Sequence, residues 1–496
     1  MLVLCLGQAF FIYKGVFNMM KLDELLNYKD YDVVPVYEEY LSDSITPLNV
    51  LRNIKEKSNK FYLLESVDIS TFSRYSYLGY DPILSISCKD NIVKINDKEF
   101  YSEDPVGEIR KILEGYKAPK IEGLPPFCGG FIGYFSYDSY KYLEPKLKFN
   151  TLDEAKFNDY ELLLFDKVIA FDAFKQKIII ICNIKMNDLE SEYIKAKDNI
   201  KAIKDLVFKI PEIKKEKVKI LKNPESIDSK EEYGKKIEKI KKYIYDGDIF
   251  QCVFSRRFKG EIEGSLFEAY RNLRSINPSP YMYYYKNDEL EIAGASPETL
   301  CMKDNEIIST YPIAGTRPRG KDTIEDDNLE RELLNDEKEL AEHNMLVDLG
   351  RNDVGRVAEF GTVKVLDYMK VLRFSHVMHI SSTVIGKIKK DYTSLDALKS
   401  ILPAGTLSGA PKLRAMEIID ELEVERRGIY GGSLGYIDFR DNMNMCIVIR
   451  TIIKKNKNIY LQAGGGIVMD SNIDSEYKET ENKAMATFKA LKAMEE

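Results

Sequence analysis

The 496-residue sequence has no tryptophan and only three histidines, and its seven cysteines are scattered without a C-x-x-C pair. So few histidines beside isolated cysteines exclude a zinc ribbon. An odd cysteine total (positions 5, 88, 128, 182, 252, 301 and 446) excludes a fully paired disulfide framework and points to reduced thiols in a cytoplasmic protein. No apolar run reaches the roughly 20 residues that span a bilayer, so no membrane partner is expected. Lysines are abundant but interleaved with Asp and Glu, and the formal charge is −7. No basic stripe remains for a phosphate backbone, which excludes nucleic acid as a partner. There is no internal repeat either.

What remains is a globular chain with 44% hydrophobic and 31% charged residues, long enough for two or three domains. Residues 1–18, "MLVLCLGQAFFIYKGVFN", are apolar but lack a basic n-region and a small-residue cleavage site. Their "LCLGQAF" resembles the nucleophile turn of class I glutamine amidotransferases, without the usual histidine or the surrounding domain. They read as an extension, or as a mis-set start ahead of Met19–Met20.

Residues 20–205 read mostly as strands, with a helix in "LESEYIKAKDNIKAIKDLV". The Lys- and Pro-rich stretch 209–226 reads as a linker between an amino-terminal domain (19–208) and a catalytic domain (227–496). The helix that follows carries a capping box, Ser229 and Glu232, and an apolar face of Tyr233, Ile237, Ile240 and Ile244 that ends at Gly247. Strand groups then alternate with a charged helix from about 325 to 350, helices near 393–401 and 410–423, and a last helix from about 474. Hairpin-like strands without regular βαβ alternation predict an α+β fold whose large antiparallel sheets pack as a β-sandwich under helices.

Two short patterns stand out. In "LAEHNMLVDLGRNDVG", Glu339, Glu342 and His343 share one helix face; in "DSEYKETENKA", Glu476, Glu479 and Lys483 share another. Periodicity alone leaves ordinary surface carboxylates open. Leu340, Met345, Leu346 and Leu349 show that the first helix is at least half buried, and an inward carboxylate cluster needs a cation. All-oxygen donors select a hard one, best Mg²⁺, which keeps positions open for substrate and water. Such a site suits an anionic ligand. Arg450, alone in the apolar strand "CIVIRT", could grip its carboxylates or form an internal ion pair. Lys483 shares the Glu479 face, and Gly464, Gly465 and Gly466 either admit an anion to their amides or make a tight turn. His376 and His379, three apart in an apparent strand, face opposite ways and read as structural.

Nine ordered motifs, among them "GDIFQCVFSRRF", "NPSPYMYYY", "GASPETL", "PIAGTRPRG", "LPAGTLSGAPKLRAMEIIDELE" and "GIYGGSLGYIDF", lie between Gly247 and Ala484, and the resemblance they carry covers about residues 20–490. Together they resemble the chorismate-utilising enzymes, most closely the large subunits (component I) of anthranilate synthases. The resemblance implies that chorismate, a dianion, lies between the two glutamate helices. Glu342 and Glu479 would ligate Mg²⁺, with Glu339 and Glu476 supporting. Arg450, Tyr430 and the amides of Gly464, Gly465 and Gly466 would bind carboxylates, and Gly315 and Thr316 would line the ring site beside Lys483 and Thr406. Glu298 would be the general acid for the departing C4 hydroxyl, and His343 would assist proton transfer.

The resemblance also separates relatives by two positions. Isochorismate and salicylate synthases carry a water-activating lysine where this chain has Gln251. Aminodeoxychorismate synthases carry a nucleophilic lysine where it has Ala314. The expected reaction is therefore chorismate and ammonia to anthranilate and pyruvate, with component I of aminodeoxychorismate synthase and a catalytically silent tryptophan-binding regulator as alternatives. Glu65, Ser66, Pro280, Tyr281 and Met282, with Gly435, Tyr436 and Cys446, match an inhibitory L-tryptophan pocket. No Cys–His glutaminase site is present, which implies a glutamine amidotransferase subunit in a heterotetramer. Ile473 stands where the family commonly has proline, leaving the rigidity of that loop in question.

Overall fold

The computed structural model describes residues 20–66, 74–212, 218–373 and 377–494. The extension 1–18, the middle of the expected linker and His376 lie outside the described residues. Two twelve-stranded antiparallel sheets face each other. The run "KIIIICNIK" shows why its strand, Lys177–Lys185, is apolar on both sides. Ile178 and Ile180 pack under helices on the outer face, while Ile179 and Ile181 point between the sheets. The inter-sheet layer is rich in tyrosine (Tyr62, Tyr77, Tyr134, Tyr283, Tyr285). Some buried hydroxyls are paired, as between Tyr283 and Thr451 at 2.6 Å.

Helices Pro47–Lys57, Leu189–Phe208, Phe267–Ile276 and Ile473–Lys492 cover the outside of the first sheet. Pro105–Leu113, Glu337–Val357 and Ser394–Ile401 cover the second. The α+β sandwich expected from the strand pattern is therefore the observed fold, and the Ser229–Glu232 capping box is present.

The boundary at 209–226 does not separate two bodies. Lys60–Glu65 pairs with Tyr281–Asn287, placing Glu65 opposite Met282, and Gly130–Phe135 pairs with Ser433–Asp438. Both sheets thus run continuously through the two halves of the chain. Lys219–Ser226, within the expected linker, is an edge strand on Gln251–Glu263; its polar, irregular register conceals it in sequence. The charged helix expected over 325–350 is two helices, Thr323–Asn335 and Glu337–Val357. Asp336 breaks them, because its carboxylate accepts the amides of Lys338 and Glu339 and caps the second. Ile473 is the first residue of the last helix, where proline would also fit; the Asn472 side chain caps Asp474 and Ser475 instead.

Candidate active site

Two crossovers between the sheets build one corner of the sandwich. Glu298 lies between Leu290–Ser296 of the first sheet and Thr299–Asp304 of the second. Arg450 lies between Met443–Ile447 of the second sheet and Thr451–Lys455 of the first. The Ile447 amide donates to the Glu298 carbonyl at 3.0 Å, and the Ala295 amide to the Arg450 carbonyl at 3.2 Å. Arg450 is not in a strand, as its apolar neighbours suggested, but in the bend with φ of 51°. A left-handed arginine costs about 1–2 kcal/mol, a strain retained where it aims a side chain.

Glu298 is only 9% exposed, and Thr406 donates its hydroxyl to Oε1 at 2.9 Å. Burial raises its pKa to about 7, against the smaller lowering effects of Thr406, Arg450 and Lys483. Near neutral pH much of it therefore holds a proton. No carboxylate ion-pairs with Arg450 among the described residues; its guanidinium makes one long bond, to Asn277 at 3.5 Å. Burial lowers its pKa, and the Glu298 charge opposes this.

The two glutamate helices meet across the adjoining strand. Glu342 Oε1 accepts from Gln251 Nε2 at 3.1 Å. Glu479 pairs with Lys483 at 2.6 Å, and Lys483 also donates to the Gly464 carbonyl at 3.0 Å. Glu339 is raised by burial and then by Glu342; Glu476 is raised by burial, eased by Ser471 and raised again by Glu479. Lys338, on the first helix, also acts on Glu476 of the second.

Gly464, Gly465 and Gly466 are not a turn but part of strand Asn458–Ile467, opposite Ser255, Phe254 and Val253. A Cβ on Gly465 would lie 3.0 Å from Glu476 Oε2 and 3.3 Å from Glu479 Oε1, so the bare backbone leaves room for both carboxylates. Among the described residues, no group of three or more His, Cys, Asp or Glu side chains converges as a metal cage. The four carboxylates are thus two repelling pairs rather than one cluster. Their hard oxygen donors fit a cation that takes one or two carboxylates and fills its shell with substrate and water.

Gly315 has φ of 66°, and its carbonyl accepts from His379 Nδ1 at 2.8 Å, beside the exposed Thr316. Ala314 presents only a methyl group, paired in register with Ile380. Tyr430 is buried, and the Gly464 backbone lies close to its hydroxyl. His343 is fully buried; Nε2 meets Ser382 Oγ at 2.7 Å, Nδ1 has no partner among the described residues, and burial lowers its pKa to about 4. It is neutral at physiological pH.

The expected regulatory residues divide between the two faces of the first sheet: Glu65 and Met282 face the outer helices, while Tyr281, Tyr436 and Cys446 lie between the sheets. Glu65 accepts from the Tyr270 hydroxyl at 2.6 Å and from Arg274 Nη2 at 3.0 Å, and the neighbouring Ser66 hydroxyl is buried without a partner among the described residues. Tyr281 spans the gap to Thr299 and Asn444 of the second sheet at 2.8 and 2.9 Å. Cys446 and Tyr436 lie close enough to Tyr281 to influence its hydroxyl. Gly435 and Met282 are on the facing strands, and Pro280 immediately precedes Tyr281.

The sequence pattern of the chorismate binding enzymes matches residues 60–489. The chain belongs to the chorismate-binding enzyme family. It is 46% identical over 484 residues to anthranilate synthase component 1 of Acetivibrio thermocellus, covering 95% of this chain and 98% of that one. The crystal structure of anthranilate synthase component I from Streptococcus pneumoniae superposes with a TM-score of 0.74 at 35% identity, covering 90% of this chain and 99% of that one. The menaquinone-specific isochorismate synthase of Escherichia coli shares the fold, with a TM-score of 0.70 at 18% identity over 95% and 98% of the chains.

Within this chorismate-binding scaffold, His379 has a supporting role in keeping with its structural reading, whereas Asn277 carried no assignment from the sequence. His379 holds Gly315, and Asn277 touches Arg450. Asn277 carries no sequence signal beyond opening the motif "NPSPYMYYY". Gln251, which the sequence marked only as standing in place of a water-activating lysine, anchors Glu342.

Proposed function

We propose that this chain converts chorismate and ammonia to anthranilate and pyruvate. One observation carries the reading: a buried acid, raised to about 7, faces an arginine that has no carboxylate partner among the described residues. A dianionic substrate would supply that partner. Arg450 and Tyr430 would bind its carboxylates, and Gly315, Thr316 and Lys483 would bound the ring.

Glu298 donates its proton to the C4 hydroxyl as the C–O bond breaks and water leaves, while ammonia adds at C2. Loss of the C2 proton then expels the enol of pyruvate and leaves an aromatic ring, with the neutral His343 assisting these transfers. Glu342 and Glu479, supported by Glu339 and Glu476, would hold Mg²⁺; bound there, it would neutralise and orient a substrate carboxylate. Ala314 offers no amine to attack the ring, which supports attack by ammonia over the aminodeoxychorismate route.

The same reading gives the chain a glutamine amidotransferase partner in a heterotetramer, a cytoplasmic location, and inhibition by L-tryptophan bound beside Glu65 and Ser66. Replacing Arg450 by Met tests the central contact. The KM for chorismate should rise by about two orders of magnitude, the scale of a lost charge-assisted bidentate contact. An unchanged KM would refute this substrate orientation.

A further inference from the structure

Arg427 is 2% exposed, and the reaction described above does not use it. Its Nε and Nη2 donate to the two Glu423 carboxylate oxygens at 2.9 and 2.6 Å, a bidentate pair. Nη2 also donates to the Val253 carbonyl at 2.6 Å, and Nη1 to the Leu407 carbonyl. Glu423 Oε1 additionally accepts the Ser255 amide and hydroxyl at 3.0 and 2.7 Å.

A buried ion pair is a poor source of stability, because desolvation offsets most of its attraction. What this pair does is fix backbone carbonyls. Leu407 follows Thr406 in the single turn Gly405–Leu407, and Thr406 is the donor to Glu298. Val253 lies on the strand that begins at Gln251, the anchor of Glu342, and its amide donates to Ser408 at 2.9 Å. The guanidinium thus pins the acid's turn to the strand that carries the glutamate's anchor. Of the residues placed in the catalytic site, Tyr430 lies near it, with its ring centroid 5.8 Å away.

We infer that Arg427, clamped by Glu423, is a positioning residue that holds the Thr406 hydroxyl against Glu298 and so sets proton delivery to the leaving hydroxyl. The inference rests on the proposed anthranilate-forming reaction.

The test is a double-mutant cycle of Arg427→Lys and Thr406→Val, assayed with chorismate, Mg²⁺ and ammonium. Arg427→Lys should lower kcat about tenfold or more while chorismate KM moves less than about threefold. Adding Thr406→Val should cost nothing further, because both changes remove the same contact. The groups acting on Glu298 are Thr406, Arg450 and Lys483. Losing the first removes a bond that favours the carboxylate, so the alkaline limb of kcat should move to higher pH in both single variants. If Arg427→Lys does not fold, Glu423→Gln takes its place in the cycle with the same expectations. Multiplicative losses with an unmoved limb would overturn the inference. A wild-type chain that forms no anthranilate would instead defeat the proposed reaction.

Discussion

Glu298 and Arg450 occupy neighbouring crossovers, each tied by a backbone hydrogen bond to the other's chain segment. The acid and the arginine are therefore set by one sandwich corner. Sheet register, rather than loop packing, fixes their relation, as a site that must hold geometry requires.

Glu298→Gln keeps the shape and an oxygen for Thr406 but removes the proton. kcat should fall by about 10²–10⁴-fold, the usual contribution of a positioned acid. Circular dichroism should show the fold unchanged. Residual activity above a tenth of wild type would refute the acid assignment.

The same group predicts a trend in stability. The folded pKa of Glu298, about 7, lies above its ordinary 4.5. Its contribution is full below pH 4.5 and is lost as pH rises through about 7. Relative to wild type, Glu298→Gln should therefore gain stability between pH 5 and pH 8, by at most about 3 kcal/mol. Chemical denaturation at the two pH values reads this directly. A difference independent of pH would contradict the buried-acid account.

Gly465→Ala places a methyl against the Glu476 and Glu479 carboxylates. Glu342→Gln and Glu479→Gln remove charge from opposite helices. All three should weaken Mg²⁺-dependent chorismate binding by calorimetry, and the glutamine variants should lower activity by orders of magnitude. Near-normal turnover of either glutamine variant at saturating Mg²⁺ would rule out the metal assignment.

Ser66→Phe should abolish the response to L-tryptophan by filling the space beside its buried hydroxyl. The chain has no tryptophan of its own, so ligand fluorescence can be followed against a weak background. Full wild-type activity in millimolar tryptophan would remove the regulatory reading and leave the catalytic one.

Legibility followed how local each cause was. The Ser229–Glu232 cap and the E-x-x-E faces are set within one helix and could be read directly. Pro47–Lys57 and Pro105–Leu113 were missed although Thr46 and Asp104 cap them and proline begins each. Their apolar residues resemble strand runs when the proline is read as a breaker. Arg450's bend, the Gly465 clearance and the Arg427 clamp depend on segments that meet only when both sheets close.

The most direct measurement of the central claim is the product itself. Supplied with chorismate, Mg²⁺ and ammonium, and no partner protein, the purified chain should release fluorescent 2-aminobenzoate and equimolar pyruvate. Glutamine should serve only after a glutaminase subunit is added. Formation of 4-amino-4-deoxychorismate without pyruvate, or of isochorismate, would contradict the roles given to Ala314 and Gln251 and with them the proposed reaction.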